Sequence, residues 1–142
     1  MPSVTNTISI HRSPDDVFAF VADGTTAPRW RSGVLDIAHV SGTGVGERYR
    51  QGMKGHRGLR VAADYEITAF EPGRRLTFKT ITGVVRPTGE FRFEQVEDGT
   101  RLTFSLTAEL GFVQRLLLGG FVQRSMDAEG DSIERLRQLL EA

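Results

Sequence analysis

The sequence of 142 residues has no cysteine, no excess of either charge and no long apolar run. Without cysteine, the chain has no thiolate nucleophile, no thiolate-ligated zinc site and no redox switch. Its 18 Lys and Arg balance 18 Asp and Glu, whereas nucleic-acid-binding domains usually carry a basic excess on one face. No apolar run approaches the roughly 20 residues that a membrane-spanning helix needs, and the first residues lack a signal-peptide pattern. We therefore expect a cytoplasmic protein that neither binds nucleic acid nor spans a membrane.

Length and composition favour a single folded domain over residues 1–142. The chain is 39% hydrophobic, and domains of this length bury roughly 70% of the surface that their unfolded chains expose. Such a core does not need a disulfide or a metal to hold it. The sequence shows no internal repeat and no linker.

Two short helices are predicted after a first strand over residues 4–10. Ser13 is a good N-cap, Pro14 suits the first helical turn, and the two aspartates that follow complement the helix dipole. These signals predict a helix over residues 14–22. A second helical turn is predicted over residues 26–30, again with a proline near its start.

From residue 34 to residue 110 the apolar residues alternate with polar ones, which predicts an antiparallel meander of six strands. Asp98-Gly99 and Pro72-Gly73 are strong turn signals. If each forms a two-residue loop, apolar residues face each other across both hairpins, in the pairs Phe93–Phe104, Phe91–Leu106, Ala69–Leu76 and Ile67–Phe78. A looser register pairs Ile37 with Tyr49, and Met53 with Leu59.

The predicted sheet has one apolar face and one charged face. The apolar face includes Val61, Tyr65, Ile67, Leu76, Phe78, Phe91, Phe93, Leu102, Phe104 and Leu106. Residues 111–142 are predicted to form one long helix with an apolar stripe, made of Leu118, Val122, Met126, Ile133, Leu136 and Leu140. This helix is the one element long enough to cover the apolar face. A closed core and an apolar ligand cavity between sheet and helix both fit this composition.

An ordered set of motifs extends over essentially the whole chain. It comprises Ser-Pro-x-x-Val-Phe-x-Phe-Val-x-Asp over residues 13–23, Pro28-x-Trp30, Gly44-Val-Gly46-x-x-Tyr49, Tyr65-x-Ile67-x-x-Phe70-x-Pro72, Gly99-Thr100-x-Leu102-Thr103 and a long final helix. In this order the motifs resemble the START-like (SRPBCC) superfamily, in its polyketide cyclase/dehydrase-type branch.

The resemblance implies an α+β helix-grip fold with an internal cavity for a hydrophobic ligand. In that fold a seven-stranded antiparallel sheet wraps around the long C-terminal helix, and two short helices follow the first strand. The superfamily includes lipid and sterol carriers, hormone receptors, aromatase/cyclases and cochaperone-like modules, so the fold does not select a function. Three functions therefore stay open: binding of a lipid-like or polyketide-like molecule, a metal-free aromatase/cyclase or dehydratase activity, and a cochaperone-like interaction module.

Three neighbouring side chains at one end of the predicted inner face are candidate catalytic residues. The looser register places Glu47 opposite His39 on one side and Tyr65 on the other. A histidine beside a carboxylate can act as a general base, and a tyrosine can act as an acid or an oxyanion donor. The alternative is a solvated ion pair near a hairpin turn.

The candidate ligand-binding residues are the aromatic and polar side chains predicted to face the cavity. They are Trp30, Tyr49, Gln51, Met53, Tyr65, Phe78, Thr80, Phe91, Phe93, Phe104 and Phe121. Gln51, Tyr65 and Thr80 are the candidates for orienting a ligand, because a buried polar atom must find a partner.

No metal and no cofactor is predicted. No His, Asp and Glu set has the spacing of metal ligands on one element. Gly42-x-Gly44-x-Gly46 joins two strands and opens no helix, so it lacks the amide cluster of a phosphate loop. The expected partner is a neutral or weakly polar hydrophobic small molecule, bound by a monomer or a homodimer.

Overall fold

The computed structural model describes residues 3–142, without the side chains of residues 56, 112–122, 125 and 130. The elements are β1 (Ser3–Ile10), α1 (Pro14–Ala22), a 3₁₀ helix (Gly24–Arg29), β2 (Val34–Ser41), β3 (Arg48–Lys54), a 3₁₀ turn (His56–Gly58), β4 (Arg60–Ala62), β5 (Tyr65–Glu71), β6 (Arg75–Thr80), β7 (Thr88–Val96), β8 (Gly99–Thr107) and α2 (Phe112–Glu141). Both short helices and the C-terminal helix form where the sequence predicted them. The Ser13 hydroxyl accepts a hydrogen bond from the Asp16 amide at 3.1 Å, which is the predicted N-cap.

Eight antiparallel strands form one sheet, so the prediction of seven was wrong by one. Their order is β1-β8-β7-β6-β5-β3-β2, and β4 pairs with β3. The extra strand arises because the Asp64 carboxylate accepts a hydrogen bond from the Gln51 amide at 3.1 Å. The Asp64 side chain thus takes the place of a backbone carbonyl as the partner of Gln51. The backbone pairing with β3 is interrupted at this point, which separates β4 from β5.

The predicted hairpin registers placed the side chains on the correct faces of the sheet, but they gave some residues the wrong cross-strand partner. In β7–β8 the loop is Glu97-Asp98, and Phe91 faces Phe104 instead of Leu106. Gly99 starts β8, and this position requires glycine because a Cβ there would collide with the Ile10 carbonyl oxygen. The shift is two residues, and therefore every side chain stays on its predicted face.

The other hairpins show similar shifts. In β5–β6 the pair Ile67–Phe78 forms as predicted, and a bulge then places Ala69 opposite Thr77 instead of Leu76. In β2–β3 the partner of Tyr49 is His39 instead of Ile37. Met53 pairs with Val61 instead of Leu59. Alternation fixes which face a residue occupies, whereas loop length fixes its partner, and the sequence does not specify the lengths of these loops.

The apolar face of the sheet forms the core together with α1 and α2. Val61 is an exception, since it is 46% exposed at the end of the sheet. Within the described part of α2, the predicted stripe is buried at Met126, Ile133, Leu136 and Leu140. The end of α2 is fixed to the β1–α1 junction, because the Arg12 guanidinium donates to the Leu140 carbonyl at 2.9 Å. None of the described helices has the length and apolar character to cross a bilayer.

Candidate functional site

A small cavity lies between the apolar face of the sheet and the segment formed by α1 and the 3₁₀ helix. Its volume is about 40 Å³, and we call it the inner cavity. Its aromatic wall consists of Trp30, Tyr65, Phe78, Phe91 and Phe104. Sites for drug-sized ligands usually measure roughly 300–1,000 Å³. A ligand larger than a few water molecules therefore requires the surrounding side chains to move apart.

An ion pair borders the inner cavity. Arg31 follows the 3₁₀ helix, and its Nε donates to Oε2 of Glu129, on α2, at 2.6 Å. The two side chains are 15% and 11% exposed. Nη1 of Arg31 also donates to Oε1 of Gln51 at 3.0 Å. Arg31 thus connects the 3₁₀ helix with both α2 and the sheet.

Two hydrogen-bond donors at the inner cavity have no acceptor among the described residues. Trp30 is 3% exposed, and its indole N–H is buried without a partner there. The Tyr65 hydroxyl also forms no hydrogen bond with a described residue, although, unlike the Trp30 N–H, it is not fully buried. Burial raises the pKa of Tyr65 well above its usual value, so the hydroxyl remains protonated and able to donate.

A larger and more open cleft lies on the other side of Tyr49. Its volume is about 720 Å³, and we call it the outer cleft. The Tyr49 ring lines this cleft and stacks on the Tyr65 ring, with centroids 5.1 Å apart. Gly24 packs against both rings, and a Cβ there would come within 2.7 Å of the Tyr49 ring. Ala22 lines both spaces. The two tyrosines therefore separate the inner cavity from the outer cleft.

Glu47 is the centre of a hydrogen-bonded group at the outer cleft. His39 Nε2 lies 3.1 Å from Oε2 of Glu47, and the Tyr49 hydroxyl donates to the same oxygen at 3.2 Å. The Gly24 amide donates to the Tyr49 hydroxyl oxygen at 3.2 Å. Burial is the main cause that raises the pKa of Tyr49 to about 12. Tyr49 is thus a hydrogen-bond donor to a carboxylate that a histidine also contacts.

The structure brings two of the three candidate catalytic residues together. His39 and Glu47 are in contact, whereas the Tyr65 ring lies behind Tyr49 and forms no hydrogen bond with Glu47. Within the described residues, no three His, Asp or Glu side chains gather in a way that could hold a metal ion.

The candidate ligand-binding residues are distributed over several places. Trp30, Gln51, Tyr65, Phe78, Phe91 and Phe104 line the inner cavity, and Tyr49 lines the outer cleft. Thr80 and Phe93 are buried and do not line either space. The Met53 sulfur lies 3.9 Å from Nη2 of Arg31. The Phe121 side chain lies outside the described residues.

Sequence reasoning missed Arg31, Glu129 and Gly24. One feature of the sequence does point to the Arg31–Glu129 ion pair. Glu129 follows Met126 by three residues and precedes Ile133 by four, so it falls on the apolar stripe of α2. A carboxylate on such a stripe needs a buried partner.

Comparisons with solved structures support the fold. Over 98% of this chain and 97% of the other, the structure superposes on TTHA0849 from Thermus thermophilus with a TM-score of 0.81 and 22% identity. A similar match, with a TM-score of 0.81 and 19% identity, covers 99% of this chain and 50% of BexL, a di-domain ARO/CYC from the BE-7585A biosynthetic pathway. At these identities the likeness is evidence for the fold alone.

Comparisons of sequence give the family. An uncharacterized protein of Mycobacterium tuberculosis, Rv2574, is 26% identical over 111 residues, which is 74% of this chain. The match spans 64% of that relative, less than two thirds of its length. The model of a family described as polyketide cyclase / dehydrase and lipid transport matches residues 1–141. Since that match includes the sheet, both short helices and all of α2, the chain belongs to the polyketide cyclase/dehydrase and lipid transport family.

Proposed function

We propose that this protein binds a hydrophobic small molecule, lipid-like or polyketide-like, at the inner cavity. The observation that carries the proposal is the cavity wall, in which Ile67, Leu76, Phe78, Phe91 and Phe104 meet a few polar groups. Ligand sites typically combine apolar walls with a small number of placed polar groups. Family membership supports the same class of ligand.

The charge distribution supports an apolar ligand. On the outer face of the sheet, exposed ion pairs such as Arg101–Glu94 and Arg92–Glu90 lie in solvent. The strand residues at the inner cavity are uncharged, and the one charged side chain among its described lining residues, Arg31, is paired with Glu129. An apolar molecule can therefore enter without stripping water from an unpaired charge.

A side chain added between the inner cavity and the outer cleft should block binding. We expect Ala22→Leu to weaken binding of the neutral fluorescent probe N-phenyl-1-naphthylamine by about tenfold, because the added methyl groups occupy ligand space. Fluorescence titration measures the affinity. Ala19→Leu, one turn earlier on α1, lines the outer cleft alone, and we expect it to retain the affinity of the unmodified protein.

Two results would argue against this location. Equal affinities of Ala22→Leu and the unmodified protein would remove the inner cavity as the binding site. If neither this probe nor any lipid recovered by gentle extraction and native mass spectrometry binds the unmodified protein, the proposal fails altogether.

The Glu47 group favours a second candidate function, acid–base catalysis on a polyketide-like substrate in the outer cleft. His39 would act as the base, and Glu47 and Tyr49 would orient it. With a poly-β-ketone thioester as substrate, we expect His39→Ala and Glu47→Gln each to lower kcat by about 10²-fold or more. The control is His11→Ala, at an exposed position outside the cleft. Turnover that is unchanged in both variants excludes this assignment.

A further inference from the structure

We propose that the Arg31–Glu129 ion pair makes the inner cavity selective for neutral ligands that carry a hydrogen-bond-accepting oxygen, such as a ketone or ester carbonyl. A carboxylate of the same size and shape would be rejected. This inference rests on the proposed function, and it adds the chemical class of the ligand and the residue that sets the charge preference.

Two polar groups at the cavity, in Trp30 and Tyr65, can donate a hydrogen bond and have no acceptor among the described residues. The indole N–H of Trp30 can only donate, and it has no acceptor among the described residues. The Tyr65 hydroxyl, which also has no hydrogen bond to a described residue, can donate as well as accept. A buried donor without an acceptor is unfavourable. An oxygen on the ligand that reaches the Trp30 N–H would satisfy it.

The side-chain acceptors at the cavity are largely occupied. Oε1 of Gln51 already accepts from Arg31, and its amide nitrogen donates to the Ala63 carbonyl at 3.2 Å. The Thr26 hydroxyl oxygen lies 2.9 Å from the carbonyl oxygens of both Phe20 and Asp23, and its one hydrogen is donated there. An alcohol or amine on the ligand would find the Thr26 and Tyr65 hydroxyl oxygens as side-chain acceptors, whereas the Trp30 N–H requires an accepting oxygen. The pattern favours ligands that accept.

The charges at the cavity are already balanced. Arg31 contributes one positive charge and Glu129 one negative charge, 2.6 Å apart and mostly shielded from solvent. A bound carboxylate would be a third charge without a counterion, and such a buried charge is strongly unfavourable. Glu47 and Asp23 also act electrostatically on Tyr65 from the side of the outer cleft, against a larger and opposite effect of Arg31. A neutral carbonyl avoids the cost of a third buried charge.

The first experiment compares three probes with one benzene ring and nearly the same shape: ethylbenzene, acetophenone and benzoate. Titrations followed by protein NMR give the three affinities at pH 7. For the unmodified protein we expect acetophenone to bind about tenfold more tightly than ethylbenzene, and benzoate to bind at least about tenfold more weakly than acetophenone. Trp30→Phe and Tyr65→Phe should each reduce the ratio of acetophenone affinity to ethylbenzene affinity by about threefold to tenfold. Val84→Ala, 73% exposed and away from the cavity, is the control that should keep the ratio.

The second experiment reverses the charge preference. Glu129→Gln keeps an oxygen for Arg31 but removes the negative charge, so the guanidinium can pair with a ligand carboxylate. We expect benzoate to bind about tenfold more tightly to this variant than to the unmodified protein. The double variant Arg31→Gln with Glu129→Gln has no guanidinium to pair with a carboxylate, and it should not show the gain in benzoate affinity.

The outcomes separate this inference from the proposed function. If no probe binds the unmodified protein, the proposed site itself fails. If ethylbenzene, acetophenone and benzoate bind equally, or if Glu129→Gln folds and gains nothing for benzoate, the ligand class is wrong while the binding site stands. Should Glu129→Gln not fold, the affinities of acetophenone and benzoate for the unmodified protein and for Tyr65→Phe decide the question.

Discussion

Replacing Phe91 with alanine is expected to lower the free energy of unfolding by about 3–5 kcal/mol. Phe91 is 6% exposed and lies at the centre of the aromatic wall. Its ring centroid is 4.6 Å from that of Phe104 and 6.3 Å from that of Trp30. Removing the ring loses the free energy gained by transferring it from water into the core. It also leaves a cavity that the neighbouring strands cannot close. Chemical denaturation monitored by circular dichroism measures the change.

The same variant provides a test of the cavity. A hole of benzene size with apolar walls can remain dry and bind benzene, so saturating benzene should raise the melting temperature of Phe91→Ala more than that of the unmodified protein. Leu59→Ala serves as the control, because Leu59 is 69% exposed and its truncation should change stability by less than about 0.5 kcal/mol. A loss below about 1 kcal/mol for Phe91→Ala would mean that the aromatic wall is not a packed part of the core.

Replacing Glu129 with alanine is expected to lower the free energy of unfolding by about 3 kcal/mol. The substitution leaves the Arg31 guanidinium, which is 15% exposed, without the carboxylate 2.6 Å away. The cost arises mainly from the buried charge that remains, and less from the lost attraction itself. Urea denaturation of the variant and the unmodified protein gives the difference.

Two further variants distinguish this cause from a general weakness of α2. The pair Arg31→Met with Glu129→Leu removes both charges, and it should recover most of the lost stability because no charge remains unpaired. Glu134→Ala breaks an exposed ion pair with Arg137 on the same helix, and it should cost less than about 1 kcal/mol. Equal losses for Glu129→Ala and Glu134→Ala would contradict the buried-charge explanation.

The local elements of the fold were predictable because their signals are local. The N-cap at Ser13 and the proline at position 14 place α1 from contacts within one turn. Alternation assigned the apolar residues to the correct face of the sheet almost everywhere. Strand partners were harder to predict. The side chain of Asp64 divides one predicted strand into two, and a bulge near Thr68 shifts the end of another hairpin.

The candidate site was predictable only in its apolar part. Phe78, Phe91 and Phe104 line the inner cavity as expected, because a residue's face follows from its position in a strand. Glu47 contacts His39, with Tyr49 as its other partner. Tyr65 was predicted to be the tyrosine beside Glu47, because the predicted registers of β3 with β2 and with β5 differed from the observed ones by two residues.

The sequence alone predicts which residues become buried, because hydrophobicity and its periodicity can be read from residues that are close together in the chain. Which polar groups meet inside depends on the packing of distant elements. Arg31 and Glu129 are 98 residues apart in the chain, and no local pattern links a turn after a 3₁₀ helix to one position on α2. The volume of the inner cavity also depends on how several elements pack together, and so it is decided by the tertiary structure. The ion pair and the buried Trp30 N–H, which has no acceptor among the described residues, are thus consequences of packing that the apolar pattern does not specify.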